Sequence, residues 1–324
     1  MQAGFSSQDR QAQAFARRVL LPRQAGFCFR GRQDSAPKTG RRRPLPAARR
    51  CRRLDGEPAG AADSRQVIRR KKKREKSKTM NIITEPVEAY LDSLYKPLNP
   101  FLKELRDSCE AQMIPIVLKD AEGLLLQLLR IHCPKRILEI GTAAGYSSIC
   151  FACACPQAKI VTLELSDRSV RAAADNIKKA GLQDSIWILP GDARESLAEL
   201  RRSFELEERE TGALPPPFDF VFIDGAKGHY REFWEGVMPL VRPGSLIVSD
   251  NVLFKGMTAS DQFIPERRQK TITNRMRSYL EFLTQTEGVQ TAVLPVGDGV
   301  AVSRIEPPAN EKITTDKMIS TDES

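Results

Sequence analysis

The chain has 324 residues, room for one or two domains, with 51 Lys and Arg against 41 Asp and Glu. Residues 1–79 hold 23 of the basic and 6 of the acidic side chains, leaving residues 80–324 with 28 basic and 35 acidic. The basic balance therefore belongs to the N-terminal segment, and whole-chain charge gives no ground for nucleic-acid binding. No run of about 18 apolar residues exists to span a membrane, nor is there a signal-peptide apolar core. Seven cysteines, an odd number without framework spacing, point to a reducing compartment, and a cytoplasmic protein is expected.

Residues 1–79 carry no sustained apolar period and are rich in Arg, Pro, Gly and Gln, as in RRRPLPAARRCRRL and IRRKKKREKSK. Such a segment cannot bury enough apolar surface to offset chain entropy, so disorder is expected. An organelle transit peptide, a basic nucleic-acid tail and an over-extended reading frame all fit this composition. The third is favoured. RKKKREKSKT needs purine-rich codons, as a ribosome-binding leader has, and patterned sequence begins abruptly after Met80 with NIITEPVEAYLDSLY. The folded domain is accordingly expected over 80–324.

Helical periods cover roughly 85–95, 99–112 and 120–132, ahead of a first strand RILEI at 136–140. A helix from about 145, strand KIVTLE (159–164), helix 167–180, strand SIWILP (185–190) and helix 193–206 follow. Then come strand FDFVFID, helix 229–240, strand SLIVSD and a long helix near 265–285. The strands VQTAVLPV and GVAVSRI close the pattern through Gly297-Asp298-Gly299, a hairpin signal. Five β-α units and a hairpin predict a doubly wound sheet with one antiparallel strand, with the first helices as a cap or lid. The stretch LEERETGALPPP (206–217) reads as a surface connection. Cys150, Cys153 and Cys155 fall on a small-residue helix without a partner set elsewhere, so they read as buried hydrophobes rather than metal ligands.

Two apolar strands end in carboxylates. FDFVFID stops at Asp224, with Lys227 three residues on, and GSLIVSD stops at Asp250, followed by Asn251. On neighbouring parallel strands these residues converge at the carboxyl edge of the sheet, where open α/β folds place ligands. Three hard oxygen donors beside an amine fit a divalent-metal site and favour Mg²⁺ over softer ions. Singly, Asp and Asn also suit strand-end turns and Lys227 suits solvent; their joint occurrence favours function. After the first strand, Gly141 and Gly145 form a turn that lets a ligand approach the backbone, although a nicotinamide fingerprint would space its glycines differently. Glu164 ends the second strand, where a carboxylate either takes ribose hydroxyls or merely starts a helix. Asp192, in Gly191-Asp192-Ala193, either caps the next helix or meets an adenine amino group, or does both.

Together, EIGTAAGYSS, TLE, GDA, FIDGAKGHY and SDNVLFKG resemble the catechol O-methyltransferase-like family of metal-dependent O-methyltransferases, over residues 80–305. The resemblance implies a Rossmann-like class I methyltransferase fold, with a mainly parallel seven-stranded sheet, one antiparallel strand and N-terminal cap helices. It implies S-adenosylmethionine as methyl donor. It carries the metal ligands onto Asp224, Asp250 and Asn251 and the catalytic lysine onto Lys227. Cofactor contacts carry over onto Val117, Gly141, Ser147, Ser148, Glu164, Asp192, Ala193 and Asp224. A homodimer is expected because relatives often form one.

Within the family, IPIV (114–117), PKRILEIGTAAGYS (134–147), SDNVLFKGM (249–257) and LPVGDGVAVS (294–303) are most similar to the bacterial tRNA 5-hydroxyuridine methyltransferases. This implies a tRNA anticodon loop as substrate and 5-methoxyuridine at the wobble position as product. An unpaired base splays readily into a pocket, and a 5-hydroxyl beside the O4 carbonyl is a bidentate metal-binding pair, much like a catechol. Lys255, Arg267, Arg268 and Lys270 then read as phosphate contacts, against the alternative of a solvated helix face. A small-molecule enzyme acting on catechol or caffeoyl-CoA-like hydroxyls is the second reading. A non-catalytic cofactor-binding protein is the third, and the intact Asp224, Lys227, Asp250 and Asn251 weigh against it.

Overall fold

The computed structural model describes residues 84–308. The disorder expected for 1–79, and the domain start at Met80, lie outside the described residues. Three helices come first: α1 (Glu85–Leu94), α2 (Pro100–Ala111) and α3 (Lys119–His132). They lead into β1 (Arg136–Ile140), α4 (Tyr146–Ala154), β2 (Lys159–Glu164), α5 (Asp167–Lys179), β3 (Ile186–Pro190) and α6 (Ala193–Thr211). Next stand β4 (Phe220–Ile223), α7 (Tyr230–Val237), β5 (Leu246–Ser249), α8 (Arg267–Gln285), β6 (Val289–Leu294) and β7 (Val300–Ile305). The seven strands form one sheet in the order β3-β2-β1-β4-β5-β7-β6. Pairing is parallel from β3 through β5, and β7 runs antiparallel to both β5 and β6. This is the expected fold class.

Helices cover both faces, so the central strands are apolar throughout, as parallel sheets require. Every residue of β1 and β4 is buried. Side chains still alternate between the two faces. Leu138, Val221 and Ile223 join the core with α6, α7 and α8. Ile137, Phe220 and Phe222 join the core with α2, α3 and α4. Fully burying an aromatic such as Phe220 or Phe222 stabilises by roughly 1.5–3 kcal/mol.

The helices ahead of β1 divide in role. Helix α3 lays Ala121, Leu125, Leu126 and Leu129 into the core, a stripe at helical spacing. Helix α2 is started by Asn99, whose side chain accepts from Leu102 N at 2.9 Å, and buries Leu102, Arg106 and Cys109. Helix α1 buries nothing and alone is lid-like. The expected surface connection at 206–217 is shorter than the sequence pattern implied, because α6 continues to Thr211. Its charged residues are good helix formers, and Arg201 pairs with Glu205 at 2.8 Å one turn on. Cys150 is fully buried in the core, with Cys153 and Cys155 half-buried. Among the described residues no helix is long and apolar enough to cross a membrane.

Candidate active site

Strand register builds the site. Ile223 on β4 lies beside Ser249 on β5, so the residues that follow, Asp224 and Asp250, leave the carboxyl edge side by side. Their amides continue the ladder, Asp224 N to the Ile140 carbonyl at 2.9 Å and Asp250 N to the Ile223 carbonyl at 3.0 Å. Strand order reverses between β1 and β4, and the connections there diverge to opposite faces and open a crevice.

Asp250 is 1% exposed. Its Oδ1 accepts from Asn251 N at 2.6 Å, while Oδ2 is buried without a partner. Tyr230 Oη, buried behind the loop, donates to the Asp250 carbonyl at 2.9 Å. Burial pushes both carboxyls up: Asp224 well above its ordinary value, with Asp250 adding to the effect, and Asp250 up to about 6. Lys227 stands on a short 3₁₀ turn, Lys227–His229, and its Nζ donates to Asn251 Oδ1 at 3.1 Å, above the Phe254 ring. Asn251 adopts φ 55°, a left-handed conformation that Asn tolerates better than most residues.

A buried carboxylate with an orphan oxygen, beside the half-buried Asp224, costs several kcal/mol unless a cation joins the two. Asp224, Asp250 and the Asn251 amide oxygen form a hard donor set that fits a divalent cation. Among the described residues no three His, Cys, Asp or Glu side chains converge to hold a metal. The candidate set is two carboxylates and an amide.

The glycine turn abuts this group. Gly141 has φ 104°, and a Cβ there would sit 2.3 Å from the Asp224 carbonyl oxygen. Only glycine lets the turn lie this close to the β4 end. Glu164 Oε2 accepts from Thr142 N at 3.1 Å and Ala143 N at 2.8 Å, and Oε1 accepts from Ser166 N at 2.8 Å. It therefore ties the turn to β2. Asp192 caps α6 through Arg194 N at 2.9 Å and pairs with the Arg194 side chain at 2.6 Å, which holds its carboxyl down at about 2.

A single cavity of about 1640 Å³ collects these pieces. All three expected metal ligands, Lys227 and Lys255 line it, as does every expected cofactor contact except Ser148. Ser148 is fully buried, and its hydroxyl donates to Glu139, as does Ser147 Oγ at 2.5 Å. The Ser148 hydroxyl is thus already taken by Glu139 and lies behind the cavity wall. Arg267, Arg268 and Lys270 do not line the cavity. They sit exposed near the start of α8, with Arg268 paired to Glu266 at 2.7 Å and Lys270 to Asp261 at 3.2 Å. His229 pairs with Glu232 at 3.0 Å at the start of α7.

Sequence reasoning missed Glu139, Tyr230, Asp120 and Asp298. Glu139 is buried within β1, and Ser147, Ser148 and Thr162 all donate to it. A charged residue inside an apolar strand was the available signal. Asp120 Oδ2 accepts from Gly297 N at 2.6 Å, and the Asp298 side chain accepts from Lys255 N. These contacts brace the loop after β5 against the β6–β7 turn, and that turn against α3. They join distant segments, so no local spacing announces them.

The sequence profile of the O-methyltransferase family matches residues 92–305. The chain belongs to this family. A catechol O-methyltransferase of Niastella koreensis is 38% identical over 179 residues, 54% of this chain and 76% of that protein. A caffeoyl-CoA O-methyltransferase of Populus kitakamiensis is 30% identical over 225 residues, 66% of this chain and 90% of that protein. Among solved structures, an O-methyltransferase from Bacillus cereus in complex with SAH superimposes with a TM-score of 0.57 at 27% identity, covering 68% of this chain and 97% of that one. TomG of Streptomyces achromogenes, in complex with SAM, gives 0.57 at 27% identity, covering 69% and 100%. The first two of these relatives are named for small-molecule acceptors, catechol and caffeoyl-CoA.

Proposed function

We propose that the protein transfers the methyl group of S-adenosylmethionine to one hydroxyl of a vicinal dihydroxy-arene, the acceptor class of a catechol or a caffeoyl ester, with help from a divalent cation such as Mg²⁺. The observation that carries this reading is the pair of the buried Asp250 and the half-buried Asp224, with Asn251 and Lys227, in one cavity with the glycine turn. The sulfonium donor supplies an electrophilic methyl. Asp224, Asp250 and Asn251 would hold the cation, whose contribution is to lower an acceptor hydroxyl pKa and orient it. The protein's own residues do the rest. Lys227 Nζ, on a rigid turn beside Asn251, takes up the hydroxyl proton or stabilises the oxyanion. Gly141 sets the donor turn against Asp224, so the turn that would take the donor and the residues that would hold the cation share one wall of the cavity.

Methyl transfer from labelled donor to a panel of catechols and caffeoyl esters, with and without EDTA, tests this. Turnover of a catechol that disappears with EDTA and returns with Mg²⁺ is expected. Incorporation into tRNA containing 5-hydroxyuridine, with no catechol turnover, would restore the tRNA reading. Arg267, Arg268 and Lys270 do not line the cavity and give that reading no phosphate site there. Cofactor binding without any turnover would leave a binding protein. A homodimer is carried forward as part of the proposal, with sedimentation velocity as its test.

A further inference from the structure

The most buried ion pair of the described residues takes no part in the chemistry above, yet it stands in the wall of the same cavity. Arg106 of α2 and Glu122 of α3 meet at 2.5 Å, with side chains 5% and 3% exposed. Two phenols close the group. Tyr95 Oη donates to Glu122 Oε1 at 3.0 Å and Tyr146 Oη to Oε2 at 2.9 Å, and Arg106 Nε donates to both phenol oxygens at 3.2 and 3.1 Å. The guanidinium also lies over both rings, 4.6 Å from the Tyr146 centroid and 5.3 Å from that of Tyr95. Burial opposes the Arg106 charge, but Glu122 and Tyr146 outweigh it and hold the guanidinium above its ordinary value. The Arg106 Nη2 then donates to the Val117 carbonyl at 2.9 Å.

A buried ion pair rarely stabilises a fold more than an apolar pair of the same volume, because desolvation offsets the attraction. Packing α2 on α3 therefore does not need it. What the group does is join five segments: the linker after α1, helix α2, the extended stretch carrying Val117, helix α3 and the first residue of α4. Tyr146 follows directly on the glycine turn, and Val117 lines the same cavity as that turn. The planar guanidinium presents several donors in fixed directions, which a lysine ammonium cannot copy.

We infer that Arg106 is a positioning residue for methyl-donor binding. With Glu122, Tyr95 and Tyr146 it holds Val117 and the first turn of α4 in place as parts of the wall of the donor pocket. The inference rests on the donor assigned above.

Titration calorimetry with S-adenosylhomocysteine tests it without needing an acceptor or a metal. Arg106→Lys, Glu122→Gln and Tyr146→Phe are each expected to weaken binding about tenfold, close to 1.4 kcal/mol. KM for the donor rises in parallel, while kcat at saturating donor stays within about twofold. Arg136→Lys is the control. Arg136 is a buried arginine at the other end of β1, stacked on Phe218 at 4.7 Å, and its replacement should lower Tm without changing the dissociation constant. If the Arg106 variants do not fold, Tyr146→Phe, which removes a single oxygen, decides. A folded Tyr146→Phe or Glu122→Gln protein with wild-type affinity overturns the inference, as does an equal loss in Arg136→Lys. Wild-type protein that binds no S-adenosylhomocysteine would instead sink the donor assignment, and this role with it.

Discussion

Asp250 carries the sharpest conflict between stability and chemistry. Its carboxylate is enclosed, and one oxygen has no partner. Burial raises its pKa to about 6, so without a cation the charged form opposes folding at neutral pH. Asp250→Asn removes the charge and keeps the shape. In EDTA the variant is expected to melt a few degrees higher than wild type at pH 7.5, about 1 kcal/mol of stability or somewhat more. Methyl transfer should fall by about a hundredfold or more if Asp250 holds the proposed cation. Differential scanning fluorimetry and a donor-consumption assay measure the two effects; a variant that is both less stable and fully active contradicts this account. At the same scale, Gly141 shows why a residue with no side chain belongs to the site: its φ and its distance from the Asp224 carbonyl each exclude a Cβ.

At the scale of elements, the β1–α4 turn is fastened by a carboxylate on either side. Glu164 holds its backbone from β2, and Glu139 holds Ser147 and Ser148 from β1. Burial pushes the Glu139 carboxyl up to about 7, against the pull of the hydroxyls that donate to it. A folded pKa above the unfolded one means stability is fully present below the unfolded value and is lost as pH rises through about 7. Glu139→Gln should therefore reduce the difference in Tm between pH 5 and pH 7.5. A slope equal to that of wild type would show that the carboxyl titrates normally. The other supporting element is the β6–β7 turn. Gly299 has φ 88°, and a Cβ would lie 2.3 Å from Leu253 Cγ and 2.7 Å from Leu253 N. Leu253 and Val252 also hang from this turn by their amides, at 3.0 and 2.9 Å. Gly299→Ala is expected to cost about 2 kcal/mol or more in urea unfolding and to lower turnover through the displaced metal loop.

For the molecule as a whole, ligand binding and folding are linked. A cation that binds only the folded protein stabilises it by about 2.7 kcal/mol at a hundredfold excess over its dissociation constant. Millimolar Mg²⁺ should thus raise the wild-type Tm, EDTA should reverse the rise, and Asp250→Asn should show none of it. An equal Mg²⁺ shift in the variant would place the cation elsewhere.

Much of this architecture was legible in sequence. Alternating periods gave the order of elements and the antiparallel closing hairpin, and strand-ending Asp224 and Asp250 with Asn251 marked the site, because apolar runs and their breaks are local properties of the chain. The end of α6 was misjudged at the boundary of a charged, helix-prone stretch, where local propensity and the following prolines disagree. The Arg106–Glu122 group, the Asp120 and Asp298 braces and the inward turn of Ser148 were invisible. Each depends on residues far apart in the chain meeting in three dimensions. Likewise, closeness in sequence groups Lys255 with Arg267, Arg268 and Lys270, whereas the fold leaves only Lys255 of the four at the cavity. By itself the sequence determined the sheet, the family and the chemical types at the site. Tertiary structure alone decided which oxygens are enclosed, which are already taken and which one is left without a partner, since burial and hydrogen-bond partners exist only once the strands lie side by side.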